Sequence, residues 1–490
     1  MKLRSLHLMA LGGAALIAPL VPAVRFTPVQ PELFGTGGSF TNAWGDFDGD
    51  GDADLFVGFN GAPNRLYRND KGVFIDVAVM AGVADARPTR AAAWGDYDAD
   101  GDPDLLVGFT PGAGGVLRLY RNDGGRFTDV TRAAGVAMDS GAVRQPAFID
   151  FDGDGDLDLY VAYRDRANVL FRNEAMRFAD VAPEAGLADS RKSVGGSWFD
   201  LDDDGDLDLY QGNMDGDANA LWRNDGGRFT DVAAEAGVAW GGRTPHDKSN
   251  GTVRTCVADV NGDGRLDLVT ANYGRNGLFL NRGDGRFDDA SAAWGVDVDA
   301  RFDTCALDDF DNDGRVDLYV NGTVTGGKSY PDFLYRNTGA RFEDVTPANV
   351  RALEGDHGAQ WHDYDADGDA DLALTGVQPT GMHLLLRNDL TVADAGRSLR
   401  VRVVDANGHA TRAGAVVRVS RRGQVLGAYL VDGGSGYDAQ NDMALHIGLA
   451  SAEPVDIDVV APAAGGGARK RVRNVTAARW RGRTLEIRVP

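Results

Sequence analysis

The 490-residue chain carries 50 Lys and Arg against 73 Asp and Glu, a formal net charge of −23, with only 2 Cys. That length allows two or three domains with substantial cores. The acidic balance argues against a nucleic-acid binder, which would carry positive charge on its main body. Charge is also uneven: from Arg397 onward 15 basic residues face 8 acidic ones, so the basic excess gathers in the tail.

In chain order, Lys2 and Arg4 precede an apolar run from Leu8 to Leu20 and the small-residue stretch Val21, Pro22, Ala23. This pattern predicts a signal peptide over residues 1–23 and an exported chain, secreted or periplasmic. No other stretch approaches the roughly 20 apolar residues that span a bilayer, so no membrane span is expected.

The segment "WGDFDGDGDADLFVGF" from Trp44 then recurs with first aspartates at 46, 96, 150, 200, 259, 309 and 363, in steps of 50 to 59 residues. Such a period suits one four-stranded propeller blade and is long for a two-helix solenoid repeat. A second signature follows each loop, as in "LYRNDGGRFTDV" (119–130): two alternating segments around an Asn-Asp-Gly-rich turn, which read as a β-hairpin. The seventh unit stops at "LLLRND" (384–389), while "RFTPV" (25–29) precedes the first. Donating that N-terminal strand to the last unit would close the ring and leave no open blade. Pro28 is compatible with an edge strand, where a missing N–H costs no ladder bond. The expected fold is all-β: a seven-bladed β-propeller over residues 24–393 with calcium-binding hairpin loops, followed by a small C-terminal β domain over residues 394–490.

Each loop reads D-x-[DN]-x-D-G-x-x-D. Two unit charges about 4 Å apart repel by roughly 1 kcal/mol in water and about 4 kcal/mol near a protein surface, so a cation is expected among them. Side-chain oxygens at positions 1, 3, 5 and 9 and a carbonyl at position 7 form the oxygen shell Ca²⁺ prefers, and glycine at position 6 permits the tight turn. The candidate ligands of the first four loops are Asp46, Asp48, Asp50, Asp52 and Asp54; Asp96, Asp98, Asp100, Asp102 and Asp104; Asp150, Asp152, Asp154, Asp156 and Asp158; Asp200, Asp202, Asp204, Asp206 and Asp208. Those of the last three are Asp259, Asn261, Asp263, Arg265 and Asp267; Asp309, Asp311, Asp313, Arg315 and Asp317; Asp363, Asp365, Asp367, Asp369 and Asp371. Arginine at position 7 of two loops fits a site that uses only that residue's carbonyl. No glutamate stands at position 12, so these are not helical EF-hands. Up to seven Ca²⁺ ions are expected; the competing reading is a set of merely solvated acidic turns.

With these motifs the chain resembles the FG-GAP or VCBS-type calcium repeats of integrin α-subunit propellers. The tail stretches "DANGHATRAGAVVRV" (405–419), "GGSGYDAQND" (433–442) and "LHIGLA" (445–450) resemble an ASPIC/UnbV domain. The combination is similar to the bacterial cartilage-acidic-protein-like family. The resemblance implies architecture, export and calcium binding, and carries no reaction and no catalytic residue.

A linker is expected near Thr391 to Gly396, then period-2 strands such as "LRVRVV" and "VDIDVV". The cluster Arg469, Lys470, Arg471 and Arg473 reads as a solvated face, or as a patch that docks on the acidic repeats or holds a polyanionic glycan. The longest insertion, residues 242–255, puts His246, Asp247, Lys248 and Arg254 before the fifth inner strand, with His357 before the seventh. Cys256 and Cys305 lie 3 and 4 residues before their loops' first aspartates, which aims them from opposite faces of neighbouring inner strands. They read either as a bridge between units five and six or as two reduced, buried thiols.

The leading expectation is an exported, monomeric calcium-binding scaffold for adhesion or for an unidentified glycan or protein partner. The alternative is a carbohydrate-active lyase or hydrolase with its site at the propeller mouth. That alternative needs a carboxylate pair or a Tyr/His/Arg constellation there, for which only His246 and His357 offer themselves.

Overall fold

The structure is a computed structural model that describes residues 24–112, 114–353, 356–376, 383–434, 437, 439–463 and 466–490. The expected signal peptide lies outside the described residues. No helix among the described residues is long and apolar enough to cross a membrane.

The chain is all-β and built mostly of antiparallel sheets, with the fifth and sixth repeats joined in one eight-stranded sheet where Tyr273, Gly274 and Arg275 pair with Arg301, Ala300 and Asp299. The first repeat shows the plan. Strands Ser39–Gly45, Asp54–Phe59, Arg65–Asp70 and Val73–Asp76 pair in that order, so each strand hydrogen-bonds its sequence neighbour. The order recurs from inner strands Thr89–Gly95, Val143–Ile149, Ser193–Phe199, Gly251–Ala258 and Asp299–Asp308. In the last repeat Asp356–His362 starts the sheet and the N-terminal strand Phe26–Pro28 finishes it, with Phe26 opposite Asn388 and Pro28 opposite Leu386. The pairing expected of "RFTPV" is therefore present, and Pro28 sits on an edge. Each inner strand lies beside the next, and Ser39–Gly45 lies beside Asp356–His362, a propeller-like arrangement.

Every inner strand carries a register shift near its start, as between Ser39 and Thr41 or Thr252 and Arg254. A bulge bends a strand and re-aims its side chains. The second strand of the first repeat, Asp54–Phe59, is buried at every position because neighbouring sheets cover both its faces. Between the first two sheets, Phe47, Phe56 and Leu66 pack on Trp94, Leu105, Val107 and Phe127. Each fully buried apolar side chain of this kind contributes about 1.5–3 kcal/mol.

The sequence reading missed the four-residue helices, such as Ala78–Ala81 and Thr131–Ala134, that follow the outer strands of the first five repeats. Each ends on a glycine in the left-handed region, for example Gly82 at φ 94°. That is the usual helix stop, but one turn is too short to leave a periodic pattern.

The linker expected near Thr391 to Gly396 is instead a capped helical turn, Val392–Ala395, whose Asp394 N–H donates to Thr391 Oγ1 at 3.2 Å. Beyond it, Ser398–Val404 pairs with Ala444–Gly448 and Thr484–Arg488, while Gln424–Leu430, Val416–Arg421, Val455–Ala461 and Ala468–Val475 form a second sheet. Val401, Val403, Val417, Ile447, Ile457 and Ile487 fill the space between.

The strand Ala439–Gln440 leaves the tail and pairs in parallel with Ser39–Gly45. Gln440 bonds both polar groups of the Trp94 backbone, Phe148 N–H donates to Gly433 O, and the Tyr437 ring packs 4.9 Å from that of His357. The tail thus crosses the inner strands of several repeats.

Candidate metal centres

The loop glycine at position 6 has a left-handed φ in all seven loops, from 88° at Gly264 to 104° at Gly368. A side chain there would be strained. This φ turns the glycine N–H onto the first aspartate: Gly51 to Asp46, Gly101 to Asp96, Gly155 to Asp150, Gly205 to Asp200, Gly264 to Asp259, Gly314 to Asp309 and Gly368 to Asp363, at 2.7–3.2 Å. Position 7 donates its N–H to the aspartate at position 5 in every loop, at 2.9–3.1 Å. The backbone therefore wraps around a convergent set of carboxylates.

Ligand atoms of Asp46, Asp48 and Asp50 lie within 4.8 Å of one another, as do those of Asp96, Asp98 and Asp104, of Asp150, Asp152 and Asp158, of Asp200, Asp202 and Asp208, and of Asp309, Asp311 and Asp317. Several oxygens in these loops are buried with no hydrogen-bond donor among the described residues: Oδ1 of Asp46, Asp98, Asp150, Asp152, Asp311, Asp363 and Asp369, and Oδ2 of Asp317. An anionic oxygen withdrawn from water with no partner is expensive. In the metal-free chain, burial pushes Asp54 and Asp104 up to about 9, Asp158 to about 8 and Asp96, Asp150, Asp200 and Asp259 to about 6, with neighbouring carboxylates adding to the rise. An all-oxygen donor set with orphaned buried carboxylate oxygens fits a hard divalent cation such as Ca²⁺.

Two positions do more than the sequence reading allowed. The aspartate at position 9 also ties its own sheet together. Its Oδ1 accepts the N–H of the third-strand asparagine in every repeat, at 2.7–2.8 Å. Position 7, read as a carbonyl ligand only, uses its side chain to reach the hairpin turn. Asp102 and Asp206 accept from Gly124 and Gly226 N–H at 2.8 Å. Arg265 and Arg315 make the same link with reversed polarity, donating Nε–H to the carbonyls of Asn281 and Asn337 at 2.8 Å. Each of these arginines also pairs with the position-5 carboxylate of its loop, Asp263 or Asp313.

The third-strand asparagine is the functional residue that the sequence reading missed. Its Nδ2–H donates to the carbonyl at loop position 2 of the preceding repeat: Asn122 to Phe47, Asn173 to Tyr97, Asn224 to Phe151, Asn337 to Val260 and Asn388 to Phe310, at 2.7–2.9 Å. Asn69 of the first repeat donates to Tyr364 of the last at 2.8 Å. Its recurrence before every turn was the available signal.

The other candidates have separate direct partners. His246 packs on Trp240 with ring centroids 4.5 Å apart, whereas His357 is buried with Nδ1 2.7 Å from Asp303. Arg254 is buried and donates to Thr304 Oγ1 and Ala359 O. Arg469, Lys470, Arg471 and Arg473 stay exposed, Arg471 pairing with Asp458. Docking on the repeats falls instead to other tail cations, among them Arg402, 3.8 Å from Asp46, and Arg418, 2.8 Å from Asp203. Of the two readings of the cysteines, the structure has the bridge: Cys256 and Cys305 are disulfide-bonded, Cα atoms 6.2 Å apart, across neighbouring inner strands.

The model of the FG-GAP-like repeat family matches residues 46–107, 108–161, 150–211, 259–320 and 309–374. Cartilage acidic protein 1 of Mus musculus is 30% identical over 363 residues, covering 68% of this chain and 53% of that protein. The Homo sapiens protein of the same name is 28% identical over 383 residues, covering 70% and 55%. The chain thus spans about half the length of these two relatives. Among solved structures, BBS1N in complex with ARL6DN is 10% identical with a TM-score of 0.47, covering 75% of this chain and 98% of that one. Matched by the repeat model over more than half its length, the chain belongs to the FG-GAP repeat family.

Proposed function

We propose that the chain is an exported scaffold: a calcium-binding seven-bladed propeller over residues 24–393 carrying a β domain over residues 394–490, which presents its surface to an extracellular glycan or protein. The observation that carries the calcium reading is the set of buried carboxylate oxygens without a donor, most of them at loop positions 1 and 3. Each ion would be held by the aspartates of one loop. The closed succession of inner strands and the asparagine links between repeats support the ring. The disulfide supports an oxidising destination. Against the carbohydrate-active alternative, the tail occupies the space along the inner strands, and His246 and His357 have separate direct partners, Trp240 and Asp303.

A calcium count on metal-stripped protein tests the reading. Binding that stabilises only the folded chain contributes RT ln(1 + [L]/Kd), about 0.4 to 1.4 kcal/mol per site at 1 mM calcium for Kd near 10⁻³ to 10⁻⁴ M. Summed over the loops this amounts to several kcal/mol, and for a chain of this length excess chelator should lower Tm by several degrees, up to about ten. A melt unchanged by chelator on protein verified to have held calcium would sink the reading.

A further inference from the structure

The tail touches the loops at one recurring place. Gly264 O accepts from Arg418 Nε–H at 3.1 Å, Gly368 O from Ser398 Oγ–H at 2.6 Å, and Gly205 O from Ala463 N–H at 3.3 Å. At Gly101 the nearest group to an added Cβ would be the His409 ring, at 3.9 Å, and at Gly314 it would be Ala450 N, at 3.0 Å. All five are the position-6 glycines, in loops two, four, five, six and seven. This residue's N–H is turned onto the first aspartate by a left-handed φ, so its carbonyl faces the tail only while the loop is wrapped. Other contacts reinforce the seat: Arg418 pairs with Asp203, Arg402 stands beside Asp46, and Asn312 Nδ2–H donates to Asp394 O at 3.2 Å.

From this juxtaposition we propose that calcium seats the tail: ion-wrapped loops present their position-6 peptides to residues 398–463, and loss of calcium releases the tail and withdraws Ala439–Gln440 from the inner strands. The proposal rests on the calcium reading above. Without a cation the carboxylates at positions 1, 3 and 5 of one loop repel each other and the wrap loosens, while the position-9 aspartate stays tied to its own sheet. The carbonyls at Gly205, Gly264 and Gly368 then leave their donors, and several tail contacts fail together. The coupling is reciprocal by linkage: a tail that cannot seat must weaken calcium binding at the loops it touches, by the same factor. The third loop, at residues 150–158, has no such glycine contact with the tail among the described residues and serves as the internal control.

The experiment is hydrogen exchange on the full chain, read by mass spectrometry, beside a calorimetric calcium count on the same preparation. In 1 mM calcium the peptides over Ala439–Gln440 and Ala444–Gly448 should be protected, and chelator should speed their exchange at least tenfold while the core of the repeats, such as Asp158–Tyr163, changes less. The double variant Ser398→Ala, Arg418→Ala should show the same fast tail in saturating calcium with its number of bound ions unchanged, and weaker binding overall. If the chain binds no calcium, the calcium reading fails and this proposal with it. If calcium binds but chelation leaves the tail peptides protected, the proposal alone is overturned. It is equally overturned if the tail opens only in step with every repeat and the double variant exchanges like the parent.

Discussion

Replacing Asn122 by alanine tests the links between repeats. Asn122 is fully buried; its Nδ2 donates to Phe47 O of the preceding repeat at 2.8 Å and to Pro103 O at 3.1 Å, and its Oδ1 accepts Gly125 N–H at 2.8 Å. Asn122→Ala leaves the buried Phe47 O without this donor and takes the partner from Pro103 O and Gly125 N–H, which are only part-buried. At about 1 kcal/mol or more for the buried group and less for the two that water can reach, the cost should be about 2 kcal/mol. Asn281 is the natural control. Its amide donates to Leu266 O and accepts from Gly283 N–H, and no bond from it to the preceding repeat is found among the described residues. Asn281→Ala should therefore cost about 1 kcal/mol less than Asn122→Ala. Urea unfolding of both variants at one fixed calcium concentration, compared by midpoint at matched slope, gives the difference. Equal losses, or a larger loss for Asn281→Ala, would refute the assignment of the asparagine as the tie between repeats.

Three further outcomes are expected. In chelator, folded Asp54, Asp104 and Asp158 titrate near 8 to 9 against about 3.9 when unfolded, so the folded chain binds more protons between about pH 4 and 9 and its stability should fall as pH rises through that window. Saturating calcium should suppress that fall, and calcium-free melting that strengthens from pH 5 to 8 would contradict the burial of these carboxyls. Reducing the Cys256–Cys305 bridge, which closes a loop of 49 residues, should cost about 4 kcal/mol in the chain-entropy picture, and a loss under about 1 kcal/mol by denaturant titration would rule that account out. Arg265→Asp frees Asp263 from its arginine partner and should tighten calcium at the fifth loop several-fold, so a calorimetric titration showing unchanged or weaker binding would count against the charge argument.

Much of the chain was legible because it repeats. A glycine flanked by aspartates at fixed spacing can be read seven times over, and the strand after it must be apolar to lie between two sheets. The N-terminal partner of the last sheet was legible from a deficit: one hairpin lacked its outer strand and "RFTPV" had no other place. The cysteine faces followed from strand alternation, although spacing alone left the bridge open. What escaped was side-chain work inside recognised motifs. The third-strand asparagine looked like the first residue of a turn, a role it also fills by accepting Gly125 N–H at Asn122, and nothing in one repeat announces its second bond to the neighbouring repeat. The course of residues 433–442 was illegible for a different reason: its partners, such as Trp94 for Gln440, are hundreds of residues away, and no periodicity marks a segment without regular structure of its own.

The question raised by crowding 33 acidic residues and only 2 arginines into seven nonapeptides has an answer in three parts. Seven divalent ions would supply fewer than half the charges needed, so calcium alone does not account for the composition. The backbone takes a second share. Every position-9 aspartate accepts the N–H of its third-strand asparagine, and every position-1 aspartate accepts a glycine N–H, which holds these anions without any net charge. The third share comes from cations of the chain itself, local where Arg265 and Arg315 replace the seventh aspartate, distant where Arg402 and Arg418 reach in from the tail. Part of the basic excess after Arg397, Arg402 and Arg418 among it, thus meets acidic residues of the repeats. A tail cut away from the repeats would free Asp46 of Arg402, so by the same charge argument as at Arg265 the calcium affinity of the first loop, whose Gly51 has no contact with the tail among the described residues, should rise on its removal while that of the third should hold.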